Sequence, residues 1–293
     1  MGNRRSSKTL GVGLEILAKI WRLRLVLLLV IPYLVLSGWL FTATRHDDVR
    51  PGEVFTVPDH PLWEKPSEEH RFGTTGTGAD LYKLSRIAMA NSVSVAVVSS
   101  GVGVALTLLV VMLFAFNAGA NRFRLLKIIS RAGFLLPSFM VIVILAGGAG
   151  GSLMLAMIAM TLVIALALAP VTARWFEEGE EGPDILAGYA LGLTRQEIVR
   201  SRIVPVVIRR LLGVFARMIP VLVMAEMSLS FLGFTGEHIS VGAMVAYGRD
   251  LIIEAPWMAL YPGMMATIVV AVLSLLGTLT AGVLRTGRYP RFL

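Results

Sequence analysis

The chain has 293 residues, 56% of them hydrophobic, and a mean hydropathy of +0.75, which excludes an ordinary soluble domain and implies a polytopic membrane protein. Its formal net charge of +8 comes from Lys and Arg placed beside apolar runs, not gathered in a groove with interleaved aromatics, so membrane topology explains the charge and a nucleic-acid partner is not implied. Cysteine is absent, which rules out disulfides, thiolate nucleophiles and thiolate metal sites.

Residues 1–24 carry Arg4, Arg5, Lys8, Lys19, Arg22 and Arg24 against the single acid Glu15 and read as a cytoplasmic N-terminal segment. The apolar run that follows is longer than a signal-peptide core, so 25–44 is expected to be an uncleaved first span. Residues 45–88 are polar and proline-rich and form the expected extracytoplasmic loop. A second span, Ser92 to Phe116, delivers Arg122, Arg124, Lys127 and Arg131 to the cytoplasm without an accompanying acid. A third, about Ala132 to Ala146 with Pro137, turns at Gly147 to Gly151 into a fourth, about Leu153 to Val171.

Between the fourth and fifth spans lies a charged insert, Arg174 to Pro205, on the predicted cytoplasmic side. Pro183-Asp184 can start a short helix, Gly192 can end it, and Thr194 with Glu197 forms a capping box for a second helix stopped near Pro205. Such an insert is either a docking element or an ordinary surface hairpin. The fifth span, about Val206 to Phe234, the outer loop Thr235 to Pro256, and the sixth span, about Trp257 to Leu284, complete a core over 89–284, with 285–293 as a cytoplasmic tail. The fold class is therefore all-α, with six transmembrane helices and both termini inside.

Glu226 lies within the fifth span, near Ser228 and Ser230. An intramembrane carboxylate must be protonated, paired or facing water, so it is a pathway candidate. The alternative is a hydrogen bond between packed helices, which the nearby Ser and Gly residues suit. Arg217, nine residues earlier, falls on the opposite helix face at about 100° per residue. The glycines at 101, 103, 147, 148, 150 and 151 lack the Lys-Ser/Thr of a phosphate-binding loop and read as packing or turn positions. The four His are scattered through loops without paired metal-ligand spacing, and neither a Ser/His/Asp constellation nor HExxH occurs, so neither a metal site nor an enzyme is read.

The insert resembles the EAA loop of permease subunits of binding-protein-dependent ABC importers: Leu186-Ala187-Gly188 stands at the triplet, Gly192 at the glycine and Val204-Pro205 at the closing pair. Three further stretches are similar to the dipeptide, oligopeptide and nickel branch of that family: His70-Arg71-Phe72-Gly73-Thr74 with Gly78 and Asp80; Glu226 to Gly233 (EMSLSFLG); and Ala255-Pro256-Trp257 with Tyr261-Pro262-Gly263. The similarity runs from about Phe72 to the C-terminus. It implies a type I ABC importer permease fold in a bacterial inner membrane and a non-catalytic half-channel for peptides. A homologous second permease would complete the pathway, two cytoplasmic ATPase subunits would bind ATP and Mg, and an extracytoplasmic binding protein would deliver substrate. The insert would be the coupling helix. Departures stand at Leu186 (usually Glu), Gly188 (usually Ala), Tyr189 (commonly basic), Thr75 and Ala79 (often Asp and Arg), so docking is expected to rest on shape more than on charge. A permease for nickel or another small solute, a non-transporting membrane scaffold, and an intramembrane enzyme using Glu226 are the alternatives. The enzyme lacks an evident second catalytic group.

Overall fold

The computed structural model describes residues 31–40, 42, 63–116, 123, 138–148, 151–236 and 238–285. The basic N-terminal segment, the bases of the loop after the second span, Pro137 and residues 286–293 of the C-terminal tail lie outside them, as do parts of the first and third predicted spans and residues 45–62 of the first predicted loop. Among the described residues the elements are all helical: α1 (Ile31–Leu40), α2 (Leu81–Ala115), α3 (Ser138–Gly147), α4 (Leu153–Glu180), α5 (Pro183–Ala190), α6 (Arg195–Ile198), a π-helical turn (Val199–Ile203), α7 (Val204–Phe231), α8 (Val241–Arg249) and α9 (Trp257–Arg285). Three of them, α2, α4 and α9, are long and apolar enough to cross a membrane. At about 1.5 Å per residue, α7 reaches roughly 42 Å, but it carries Arg209, Arg210, Arg217 and Glu226 and packs against α2, α4, α8 and α9.

Helix ends fall where side chains can satisfy the orphan amides. Asp80 caps α2 by accepting the Lys83 amide at 2.9 Å, so this helix starts inside the stretch predicted as loop. α4 begins at the Ser152 cap and runs on past the apolar limit at Val171 to Glu180, making Arg174 to Glu180 part of a span-length helix. The predicted outer loop also contains a helix, α8, capped by Ser240.

The largest core gathers α2, α3, α4, α7, α8 and α9 around Met89, Met160, Val223 and Leu229. A second core gathers the far end of the bundle, where Phe176, Ile185, Ile198, Val199 and Ile203 pack together. Glycines set the closest approaches: a Cβ on Gly103 would meet Ile164, one on Gly147 would meet the Phe234 ring, and one on Gly242 would overlap the Met227 carbonyl. Gly242→Ala should therefore push α8 off α7 and lower stability by about 1–3 kcal/mol, read as a lower midpoint in thermal unfolding followed by gel filtration. Gly101→Ala, whose Cβ would find Phe215 at an ordinary 3.7 Å, should leave that midpoint unchanged or raise it.

Candidate functional site: a capped hairpin and a buried Glu226 cluster

The hairpin is built as its sequence predicts up to its last element. α5 starts at Pro183 behind the Gly182 cap. It ends in a Schellman motif: Gly192 takes φ +81°, its amide donates to Tyr189 O at 3.0 Å and the Leu193 amide to Gly188 O at 3.2 Å. Thr194 and Glu197 form the capping box, with the Thr194 amide and hydroxyl each 2.8 Å from Glu197 Oε2. These two hydrogen bonds hold the Glu197 carboxyl below its usual pKa. The box is thus intact above the ordinary Glu range and is lost as pH falls through the lowered value.

The predicted stop at Pro205 does not occur. α6, the π-helical turn and α7 follow one another without a break, so the hairpin's second arm continues into the helix that carries Glu226. Proline is tolerated in a first helical turn, and the wider π-turn before it adjusts the hydrogen-bond register where the proline has no N–H to offer.

One face of the hairpin is anchored and another is open. Ile185 and Ile198 are buried, and Gly188 is small because a Cβ there would meet Ile198 at 3.2 Å. Arg195 donates to Ala115 O at 2.8 Å and to Glu180 at 3.0 Å, tying α6 to the ends of α2 and α4. Sequence reasoning passed over Arg195, which has no signal beyond following a capping Thr. Leu186 (68% exposed), Tyr189 (46%) and Leu191 (78%) project outward, and Ala187 is also exposed. Val204 and Pro205 lie on the first turn of α7, Val204 packed against the core that holds Ile185 and Ile198 and Pro205 exposed.

At the other end of α7, Glu226 is fully buried while Arg217 is exposed, consistent with their opposite faces. Glu226 Oε1 accepts the Ser230 hydroxyl at 2.7 Å, and Ser230 Oγ lies 2.8 Å from Thr235 Oγ1. Among the described residues Glu226 Oε2 has no hydrogen-bond partner. Ser228 does not join them: it is exposed and its hydroxyl donates to its own helix at Met224 O. The residues the sequence reading missed are Thr235 and His238, whose Nε2 faces Glu226 Oε1 at 3.9 Å. A tight turn brings them back, with Gly233 (φ +81°) closing a second Schellman motif through Gly233 to Ser230 and Phe234 to Leu229. Burial pushes the His238 pKa down, and the Glu226 carboxylate opposes that fall. Glu226→Gln should therefore lower the His238 titration midpoint further, measured by NMR on the imidazole-labelled protein.

The other two motif stretches meet beside this cluster. Phe72 stacks on Tyr261 with centroids 4.9 Å apart, Leu81 packs with Ala255 and Met258, and His70 is held by Asp80 at 3.0 Å. An adjoining cavity of about 590 Å³ lies between residues 75–84, the 236–240 turn, α8 and Met258.

This arrangement of helices occurs in a known structure. A crystal structure of an amino acid ABC transporter with histidines shares the fold at a TM-score of 0.52 and 15% identity, over 69% of this chain and 94% of that one. Among sequences, the chain is 25% identical over 264 residues to a Brucella suis protein provisionally named as a peptide transport system permease, covering 88% of this chain and 84% of the relative. It is also 25% identical over 248 residues to the oligopeptide transport system permease protein OppC of Haemophilus influenzae, covering 81% and 75%. No family model matches the chain. The fold and these relatives together support the resemblance to ABC importer permeases in their peptide branch.

Proposed function

We propose that this chain is a permease subunit of an ATP-driven ABC importer for peptides and forms half of the translocation pathway. The observation that carries the proposal is a capped, internally anchored hairpin, open on an apolar face and continuous with α7, in a chain whose relatives are named as peptide permeases. The hairpin is the coupling helix in this reading. Leu186, Tyr189 and Leu191 dock on a cytoplasmic ATPase subunit, and Gly192, Thr194 and Glu197 keep the turn rigid.

A rigid turn matters because a slack loop would absorb the ATPase's closure before it moved the spans. Arg195 joins the docked segment to α2 and α4, and the unbroken path into α7 carries its displacement toward Glu226. The chain binds no nucleotide in this scheme. ATP and Mg belong to the two ATPase subunits, a homologous permease supplies the other half-channel, and a binding protein delivers peptide from outside. The orientation follows: six spans in the bacterial inner membrane, both termini and the hairpin cytoplasmic, the Glu226 cluster toward the outer face. Glu226 and Ser230 hold the end of α7 to the returning turn, which makes the Glu226 cluster a hydrogen-bonded junction beside the pathway. Affinity purification of the tagged chain from its native membrane tests the assembly: a second permease and an ATPase should co-purify, and a chain isolated without any ATPase would refute it.

A further inference from the structure

The cavity beside α8 is walled mainly by apolar side chains, Leu84, Met244 and Met258 among them, with Tyr247 more than half exposed and His238 supplying an imidazole. Its volume of about 590 Å³ falls within the roughly 300–1,000 Å³ range of small-molecule pockets. His238 lines it while burying Nε2 against Glu226, and only 15% of the side chain stays exposed. A neutral ring with its proton on Nε2, toward the carboxylate, has Nδ1 as its acceptor. No Lys or Arg lines the cavity, and none pairs with Glu226 among the described residues.

We propose that this cavity is a peptide subsite that receives the free N-terminal ammonium of a short peptide, with His238 as the acceptor. The assignment rests on the peptide-permease reading and adds a binding site within this subunit. The ammonium end is selected over the carboxylate end because His238 offers an acceptor and no Lys or Arg is among the described residues that line the cavity. The flexible thioethers of Met244 and Met258 let the wall adapt to different side chains, as a carrier of varied peptides requires.

The test uses the assembled transporter in nanodiscs, without binding protein and without ATP, and compares equilibrium binding of radiolabelled Phe-Leu with its N-acetylated form. Phe-Leu should bind at least tenfold more tightly than the acetylated peptide. His238→Ala should remove that preference and His238→Gln should restore part of it. Met244→Trp, which fills the cavity without touching Glu226, should abolish binding in a complex that still assembles. Equal binding of the two peptides, or a preference that survives both His238→Ala and Met244→Trp in assembled complexes, would overturn the subsite. ATP-driven uptake with binding protein, measured on the same preparations, separates the two claims. Uptake by the wild-type complex without amine-dependent binding refutes the subsite alone, whereas absence of uptake for any peptide refutes the import reading.

Discussion

Leu186→Asp combined with Tyr189→Asp should release the ATPase subunits and abolish ATP-driven uptake while leaving the permease folded. Both side chains are exposed, at 68% and 46%, so the folded chain loses little by the change. Their burial against an ATPase groove would each contribute about 1.5–3 kcal/mol, so losing two such contacts and placing two carboxylates in their stead should weaken association by at least about a hundredfold. Co-purification of ATPase with the tagged double variant measures the loss, and an unchanged melting midpoint excludes unfolding as its cause. The second permease should remain bound. In the proposed contact shape is expected to count for more than charge: the importer permeases that the insert resembles usually have Glu where Leu186 stands and commonly a basic residue where Tyr189 stands.

Glu226→Ala should cost more than Glu226→Gln, in stability and in uptake. Alanine removes the acceptor of the Ser230 hydroxyl and leaves a cavity where a fully buried side chain stood. Ser230 keeps Thr235 Oγ1 within hydrogen-bond distance, so the lost hydrogen bond costs about 0.5–1.5 kcal/mol, and the lost packing adds to that. Glutamine keeps a carbonyl oxygen for Ser230 and nearly the same volume, so its midpoint should stay close to that of the parent. If Gln and Ala were equally damaging to stability, the hydrogen-bonded junction would be the wrong account of this residue. Uptake that survived Glu226→Ala unaltered would dismiss both the structural and the pathway reading.

The sequence was most legible where one residue type has one conformational use. Gly192 at positive φ, the Thr194–Glu197 box and Pro183 at a helix start all follow from local backbone chemistry, and each stands where its spacing predicts. Helix α9 begins at Trp257, as the apolar run does. Boundaries failed where polarity and helicity part company. α4 keeps its hydrogen bonds through Arg174 and Glu180 after its apolar stretch has ended, and α2 begins early because Asp80 caps it. Pro205 misled for a different reason, since a π-turn ahead of it lets the helical path continue.

The Glu226 site shows what periodicity cannot supply. Glu226 and Ser230, four apart on one helix, could be placed on the same face by counting. Ser228 could have been set aside by the same count. His238 could not be found that way, because its approach depends on the Gly233 turn reversing the chain and on α8 packing close enough to require Gly242. Arg195 was hidden similarly, since both its partners lie in other helices. Long-range contacts of this kind are set by tertiary packing, and local spacing carries no record of them.

The central claim is that this chain is one of two permease subunits of an ATP-driven peptide importer, forming half of its pathway, and that its hairpin couples hydrolysis to transport. The most direct measurement is uptake of a radiolabelled peptide into proteoliposomes containing the purified complex and its binding protein, with ATP supplied on the ATPase side. The account predicts accumulation that requires ATP hydrolysis and disappears in the Leu186→Asp, Tyr189→Asp complex. Peptide accumulation independent of ATP, or ATP-driven uptake undiminished by that double substitution, would contradict it.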